Sequence, residues 1–168
     1  YKRQALTLST IALACVVVWI LGVAAVRFIR GGWDARSTIV FFLAAIVLLI
    51  ATNKVFSPQY IVWLGPILAV AIRAGVPLDT TMDRHVAPQR TFLVTSMAIL
   101  TIGTAALGAY IYPYGYDYVW FYVGERAAPV YALVARNVLI LIMAVVALVW
   151  HRLEFRAARN AECAPQPA

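Results

Sequence analysis

Five apolar stretches, separated by short polar or aromatic connections, organise the chain. Residues 6–28 form an unbroken run. At 1.5 Å per residue, such a run exceeds the roughly 20 residues that cross a ~30 Å hydrocarbon core. Residues 38–56 and 60–74 are shorter and flank a polar break. They read either as two tilted spans or as a re-entrant pair, and two spans is the preferred reading because mismatch is accommodated cheaply. Residues 91–112 and 129–150 complete the set. The pattern predicts an all-α, polytopic transmembrane bundle of about five segments over residues 1–150, followed by a polar tail over 151–168. There is no repeat and no heptad run.

Composition sharpens this picture. The chain is 64% hydrophobic and 12% charged, with a mean hydropathy of +0.84. No soluble domain of 168 residues hides that much apolar surface. The net charge of +7 invites a nucleic-acid reading. The cations, however, are scattered in ones and twos between apolar runs, as loop charges that set membrane orientation are, so no nucleic-acid partner is expected. Arg27, Arg30, Arg36, Arg73, Arg84, Arg90, Arg152, Arg156 and Arg159 fall on one side. Lys2, Arg3, Lys54 and Arg126 fall on the other, with Arg136 just inside the membrane. The larger set is expected in the cytoplasm with the C-terminus. The loops over 53–60 and 113–128 are then expected outside. Lys2 and Lys54 are the only lysines, and the arginine bias points to a high-GC bacterial source.

Cys15 lies in an apolar run and Cys163 in the tail, so neither a disulfide framework nor a metal site is indicated. The first apolar run is too long for a signal peptide and ends in arginines. The missing initiator Met and the immediate apolar run suggest a piece of a longer protein, and the polar tail rich in Ala and Pro suggests its C-terminal piece.

The break itself reads NKVFSPQYIVWLGP from Asn53 to Pro66. Lipid offers polar groups no partner, so this stretch must meet water or a polar ligand. It reads in two ways. As an interfacial turn, Asn53 and Ser57-Pro58 reverse the chain, Lys54 snorkels, and Tyr60 and Trp63 join an aromatic belt. As a site, Lys54 offers a point charge, Gln59 a donor–acceptor pair and Tyr60 a phenol to a phosphate or to sugar hydroxyls.

The run KVFSPQYIVWLGP resembles the C-terminal signature of membrane glycosyltransferases that use polyprenyl-phosphate sugars, the GT-C superfamily. Among these it is most similar to the actinobacterial polyprenol-phosphate-mannose-dependent α-mannosyltransferases. A second, weaker stretch fits as well: Tyr112-Pro113-Tyr114 with Tyr116-Asp117, then Arg136-Asn137 leading into an apolar helix and a basic tail. Together they cover most of the chain from Lys54 to Arg152, and the region before Thr38 adds only hydropathy. The resemblance implies an integral membrane enzyme moving a hexose, mannose by expectation, from a lipid phosphate to an outward-facing glycan or glycolipid. In that superfamily the general base is an acidic residue of the first outer loop. This chain does not contain that region, so no catalytic residue is assigned in it.

Arg136 is the second candidate. About 10 Å into its helix, it either snorkels or pairs with a neighbour, or its guanidinium fork contacts a lipid-linked phosphate. Asn137 is read as a hydrogen-bonding group between helices. Tyr110, Tyr112, Tyr114, Tyr116 and Tyr118 recur at every second position, as an interfacial belt or as rings on which a sugar stacks. Tyr114, Tyr116 and Asp117 are candidate acceptor contacts, and Asp117 has Arg126 as an alternative partner. Asp79, Asp83 and His85 lie among arginines, which oppose a divalent cation, so no metal is expected. No cofactor is expected. Gly103 and Gly108, with neighbouring alanines, read as a face for close helix packing. Lys54, Gln59, Tyr60 and Arg136 are thus the expected donor-phosphate or sugar contacts. A transporter or flippase with a broken-helix site, or a membrane subunit without chemistry, are the alternatives.

Overall fold

The computed structural model describes residues 2–30, 34–53, 59–75, 87–113, 115, 117, 119 and 127–162. Five helices make up the architecture: α1 (Lys2–Arg30), α2 (Ala35–Thr52), α3 (Gln59–Gly75), α4 (Ala87–Ile111) and α5 (Ala128–Glu162). There is no strand among the described residues. Helices α1, α2, α4 and α5 are long and apolar enough to cross a membrane, and α3, at 17 residues, is the shortest. The all-α, polytopic membrane bundle expected from the hydrophobic pattern is the fold observed.

Consecutive helices run antiparallel, and cross-chain contacts fix which ends coincide. At one end the Ser9 hydroxyl near the start of α1 donates to the Thr52 carbonyl at the end of α2, 2.9 Å away. At the other end Arg27 of α1 meets Ser37 of α2, and Arg90 of α4 meets Glu154 of α5. Helix α2 therefore crosses the whole bundle and is not half of a re-entrant pair. Asp34 caps its start, the carboxylate accepting from the Ser37 amide at 3.1 Å, which satisfies an amide that lipid could not.

The core lies between α2, α3, α4 and α5. Val40, Leu43, Ala44 and Val47 of α2 meet Leu64 and Leu68 of α3, Leu93 and Met97 of α4, and Ile140, Met143, Ala147 and Trp150 of α5. Glycine permits close approach at two places. A methyl on Gly103 would sit 3.3 Å from Leu139, so the small-residue face of α4 does pack against α5. A methyl on Gly115 would sit 3.2 Å from Pro129, where the chain turns from α4 into α5. Helix α1 packs chiefly on α2 and leaves Leu8, Val18, Leu21, Phe28 and Ile29 exposed, the surface expected of a helix facing lipid.

Several boundaries differ from the hydrophobic pattern, α1 starting at Lys2 against residue 6 and α2 running over Ala35–Thr52 against 38–56. Helix α4 begins at Ala87, within the connection read as polar, because Pro88 suits a first helical turn. Helix α5 does not end at Trp150 but continues to Glu162, so residues 151–162, read as tail, are helical. They stay helical because His151 and Glu154 are buried against the bundle, on the stripe that already carries Met143, Ala147 and Trp150.

Candidate functional site

The two ends of the bundle differ in chemistry. One displays exposed aromatic rings: Trp63 on α3, Tyr110 and Tyr112 at the end of α4, and Tyr131 at the start of α5. Such rings favour the membrane–water interface. The other end carries most of the buried polar groups, Arg27, Ser37, Arg90, His151 and Glu154. From Tyr131 to Arg152 the rise of α5 is about 32 Å, close to the ~30 Å hydrocarbon thickness. The aromatic girdle and the polar end thus sit where the two interfaces should lie.

At the aromatic end, Arg136 lies on α5 about 8 Å beyond Tyr131. Its side chain is only 4% exposed. It shares the interior stripe of Ile140, Met143, Ala144 and Ala147, so it faces the bundle and does not snorkel along lipid. A buried intramembrane arginine costs about 2.5 kcal/mol or more at mid-bilayer and marks a polar interior partner or pathway. Next to it, Asn137 is exposed.

A small cavity of about 10 Å³ fixes the level of Arg136 relative to the opening of α3. Val47 and Ile50, Leu64, Thr101 and Thr104, and Ile140 and Met143 line it. The threonine hydroxyls donate within their own helix, Thr101 to the Met97 carbonyl and Thr104 to the Leu100 carbonyl. The cavity therefore offers a ligand little that is polar. Leu64 and Ile140 face it together, and one turn toward the aromatic end from each stand Tyr60 and Arg136. The backbone at Gln59 and Tyr60, the first turn of α3, thus lies at the depth of the buried arginine.

Asn53 caps α2 at this same end, its amide donating to the Ile50 carbonyl at 3.3 Å. Asp117, between α4 and α5, is exposed. Of the other expected contacts, Lys54, Tyr114 and Tyr116 fall outside the described residues, as do the side chains of Gln59 and Tyr60. The same holds for the connection carrying Asp79, Asp83 and His85. Among the described residues no group of acidic, His or Cys side chains is arranged to hold a metal ion.

The opposite end holds two buried clusters that loop-charge counting overlooks. Arg90 makes a two-pronged ion pair with Glu154, Nε to Oε1 at 2.7 Å and Nη2 to Oε2 at 3.0 Å. The Trp150 indole donates to the same carboxylate at 3.1 Å. The partners are 1% and 2% exposed, and the pair ties α4 to α5. In the second cluster the Arg27 guanidinium lies 5.3 Å from the Phe41 ring centre and 5.5 Å from that of Phe155. Its Nη2 donates to the Ser37 carbonyl at 3.2 Å. His151 packs among Trp19, Phe41 and Phe155. Arg27 and Arg90, expected among the loop charges, are interior residues that hold helices together.

Because α1 touches the bundle so sparingly, the Arg27 cluster should dominate its attachment. Arg27→Ala removes two cation–ring contacts and the charged hydrogen bonds to Ser37, together worth about 2–3 kcal/mol. The unfolding midpoint in detergent should fall accordingly, while Arg27→Met, which keeps the volume, should recover part of the loss. Equal loss in both variants would assign the effect to charge alone.

No known protein family, curated protein or solved structure matches this chain.

Proposed function

We propose that the protein is the membrane portion of a glycosyltransferase that moves a hexose, mannose by expectation, from a polyprenyl-phosphate donor to an extracytoplasmic glycan or glycolipid. The observation that carries this reading is Arg136, an arginine kept in the bundle interior at the depth where α3 opens. The residues preceding and opening that helix, KVFSPQY, are those that resemble the GT-C signature. In this reading the acceptor hydroxyl attacks the anomeric carbon, the bond from that carbon to the phosphate oxygen breaks, and polyprenyl phosphate leaves as an anion. The hydroxyl proton passes to a base outside this chain. Lys54 and Arg136 balance the charge on the phosphate, while Gln59 and Tyr60 orient the sugar. Tyr114, Tyr116 and Asp117 contact the acceptor.

Orientation follows from the same reading. The aromatic end, with the 53–60 and 113–128 connections, faces outward from a bacterial plasma membrane, and the arginine-rich end with the C-terminus faces the cytoplasm. A transporter would want its polar break near the bilayer centre. The opening of α3 at one end of the bundle supports transfer over transport.

The test is a transfer assay on the full-length protein with a labelled polyprenyl-phosphate hexose. Lys54→Gln should reduce transfer about 10–100-fold, the value of one charged hydrogen bond to phosphate. No transfer by the unaltered protein from any such donor would end the reading. Undiminished transfer by Lys54→Gln would remove that lysine from the site.

A further inference from the structure

The extension of α5 beyond Trp150 has a second face that the bundle does not use. At 100° per residue, Arg152, Arg156 and Arg159 fall within an arc of about 60°, with Glu154 roughly opposite. All three arginines are exposed, whereas Glu154 is locked to Arg90 on the inner side. The ion pair and the packing of His151 fix the rotation of the helix, so the basic stripe points sideways, away from the other helices. Between Arg152 and Arg159 the sequence holds no acid other than Glu154, and Glu162 ends the helix. The stripe is therefore cationic throughout.

Depth decides what it meets. Arg90 stands in the first turn of α4, and Arg27 in the last turn of α1, so the Arg90–Glu154 level marks the edge of the hydrocarbon. Relative to Glu154, Arg152 lies about 3 Å toward the membrane, Arg156 about 3 Å and Arg159 about 7 Å away from it. The headgroup layer is about 5–8 Å thick on each side. A lateral face at that depth meets phospholipid phosphates before it meets anything dissolved in water.

We propose that the Arg152–Arg156–Arg159 face of α5 binds the headgroups of anionic phospholipids in the leaflet at the arginine-rich end. Three guanidinium forks one turn apart match phosphate oxygens in charge and shape. Each cation near an anionic bilayer surface contributes enough that three together favour anionic lipid on the order of 100-fold. This inference needs only that the chain spans a membrane and is independent of the sugar-transfer reading.

The experiment is competitive lipid retention on the intact purified protein, comparing phosphatidylglycerol with phosphatidylcholine by native mass spectrometry at low and high salt. The unaltered protein should retain phosphatidylglycerol on the order of 100-fold more strongly, the preference shrinking with salt. The triple Arg152→Gln, Arg156→Gln, Arg159→Gln variant should lose most of it, and the triple Lys variant should keep a substantial part. These positions are exposed, so unfolding midpoints report that the fold survives. Equal retention of both lipids by the unaltered protein overturns the proposal. So does undiminished preference in the Gln variant. Binding of a soluble polyanion such as heparin without any lipid preference overturns it too, and assigns the stripe to a partner in solution.

Discussion

Glu154→Gln should destabilise the protein by about 3–5 kcal/mol, the usual cost of breaking a buried ion pair from one side. The Arg90 guanidinium would remain inside with a neutral amide where a two-pronged carboxylate had been. Arg90→Met should cost a similar amount, because it strands the carboxylate beside the Trp150 indole. The combined Arg90→Met, Glu154→Leu variant should return close to the parent, since apolar replacements of a buried pair are often neutral or better. With Glu154→Leu alone as the other corner, unfolding midpoints in detergent of the parent, the two single variants Arg90→Met and Glu154→Leu, and the double variant give the coupling energy. Single-variant losses below about 1 kcal/mol would mean the pair behaves as a solvated surface contact, and the dry edge inferred at this level would be wrong.

The ion pair also shows where the sequence speaks and where it does not. Every helix was visible as an apolar run, because a segment that crosses lipid must satisfy its backbone internally and carry about 20 apolar residues. The alternation of the helix ends was visible as well, since successive crossings place Arg27, Arg90 and Arg152 at one end of the bundle. The burial of Arg27, Arg90 and Glu154 was not visible by counting loop charges, which treats each arginine near a run as solvated. One local signal was present. Extending the stripe of Ile140, Met143 and Ala147 by three or four residues at a time reaches Trp150, His151 and Glu154, so the interior face continues past the apolar run. Arg136 fits the same stripe on the other side, which is why it faces inward. The partner of a buried group, by contrast, lies on another helix 64 residues away, as Arg90 does from Glu154, and spacing along one helix cannot supply it. The candidate site is legible to the same extent: its depth follows from helix lengths, whereas the convergence of Lys54, Gln59, Tyr60 and Arg136 on one ligand is a tertiary question.

Arg136 provides the sharpest way to ask it, because a bracing role and a ligand-binding role predict different kinetics. Arg136→Met takes the 4%-exposed guanidinium from its interior contacts, so the unfolding midpoint should fall, as when one partner of a buried interaction is lost. Transfer from a polyprenyl-phosphate hexose by the full-length protein, measured per folded molecule, should fall about 100–1000-fold, the scale of losing one preorganised group aimed at developing charge. Negative charge grows on the phosphate as the sugar departs, so the loss should appear in kcat more than in KM for the donor. Arg136→Lys should keep a charge without the fork and retain an intermediate rate, with Arg136→Gln near the methionine variant. A residue that merely braces α5 would lower the midpoint while the folded protein kept the parent kcat. Full activity in a stable Arg136→Met protein would leave the donor phosphate without its proposed partner on α5, and with it would go the reason for placing sugar transfer at the aromatic end.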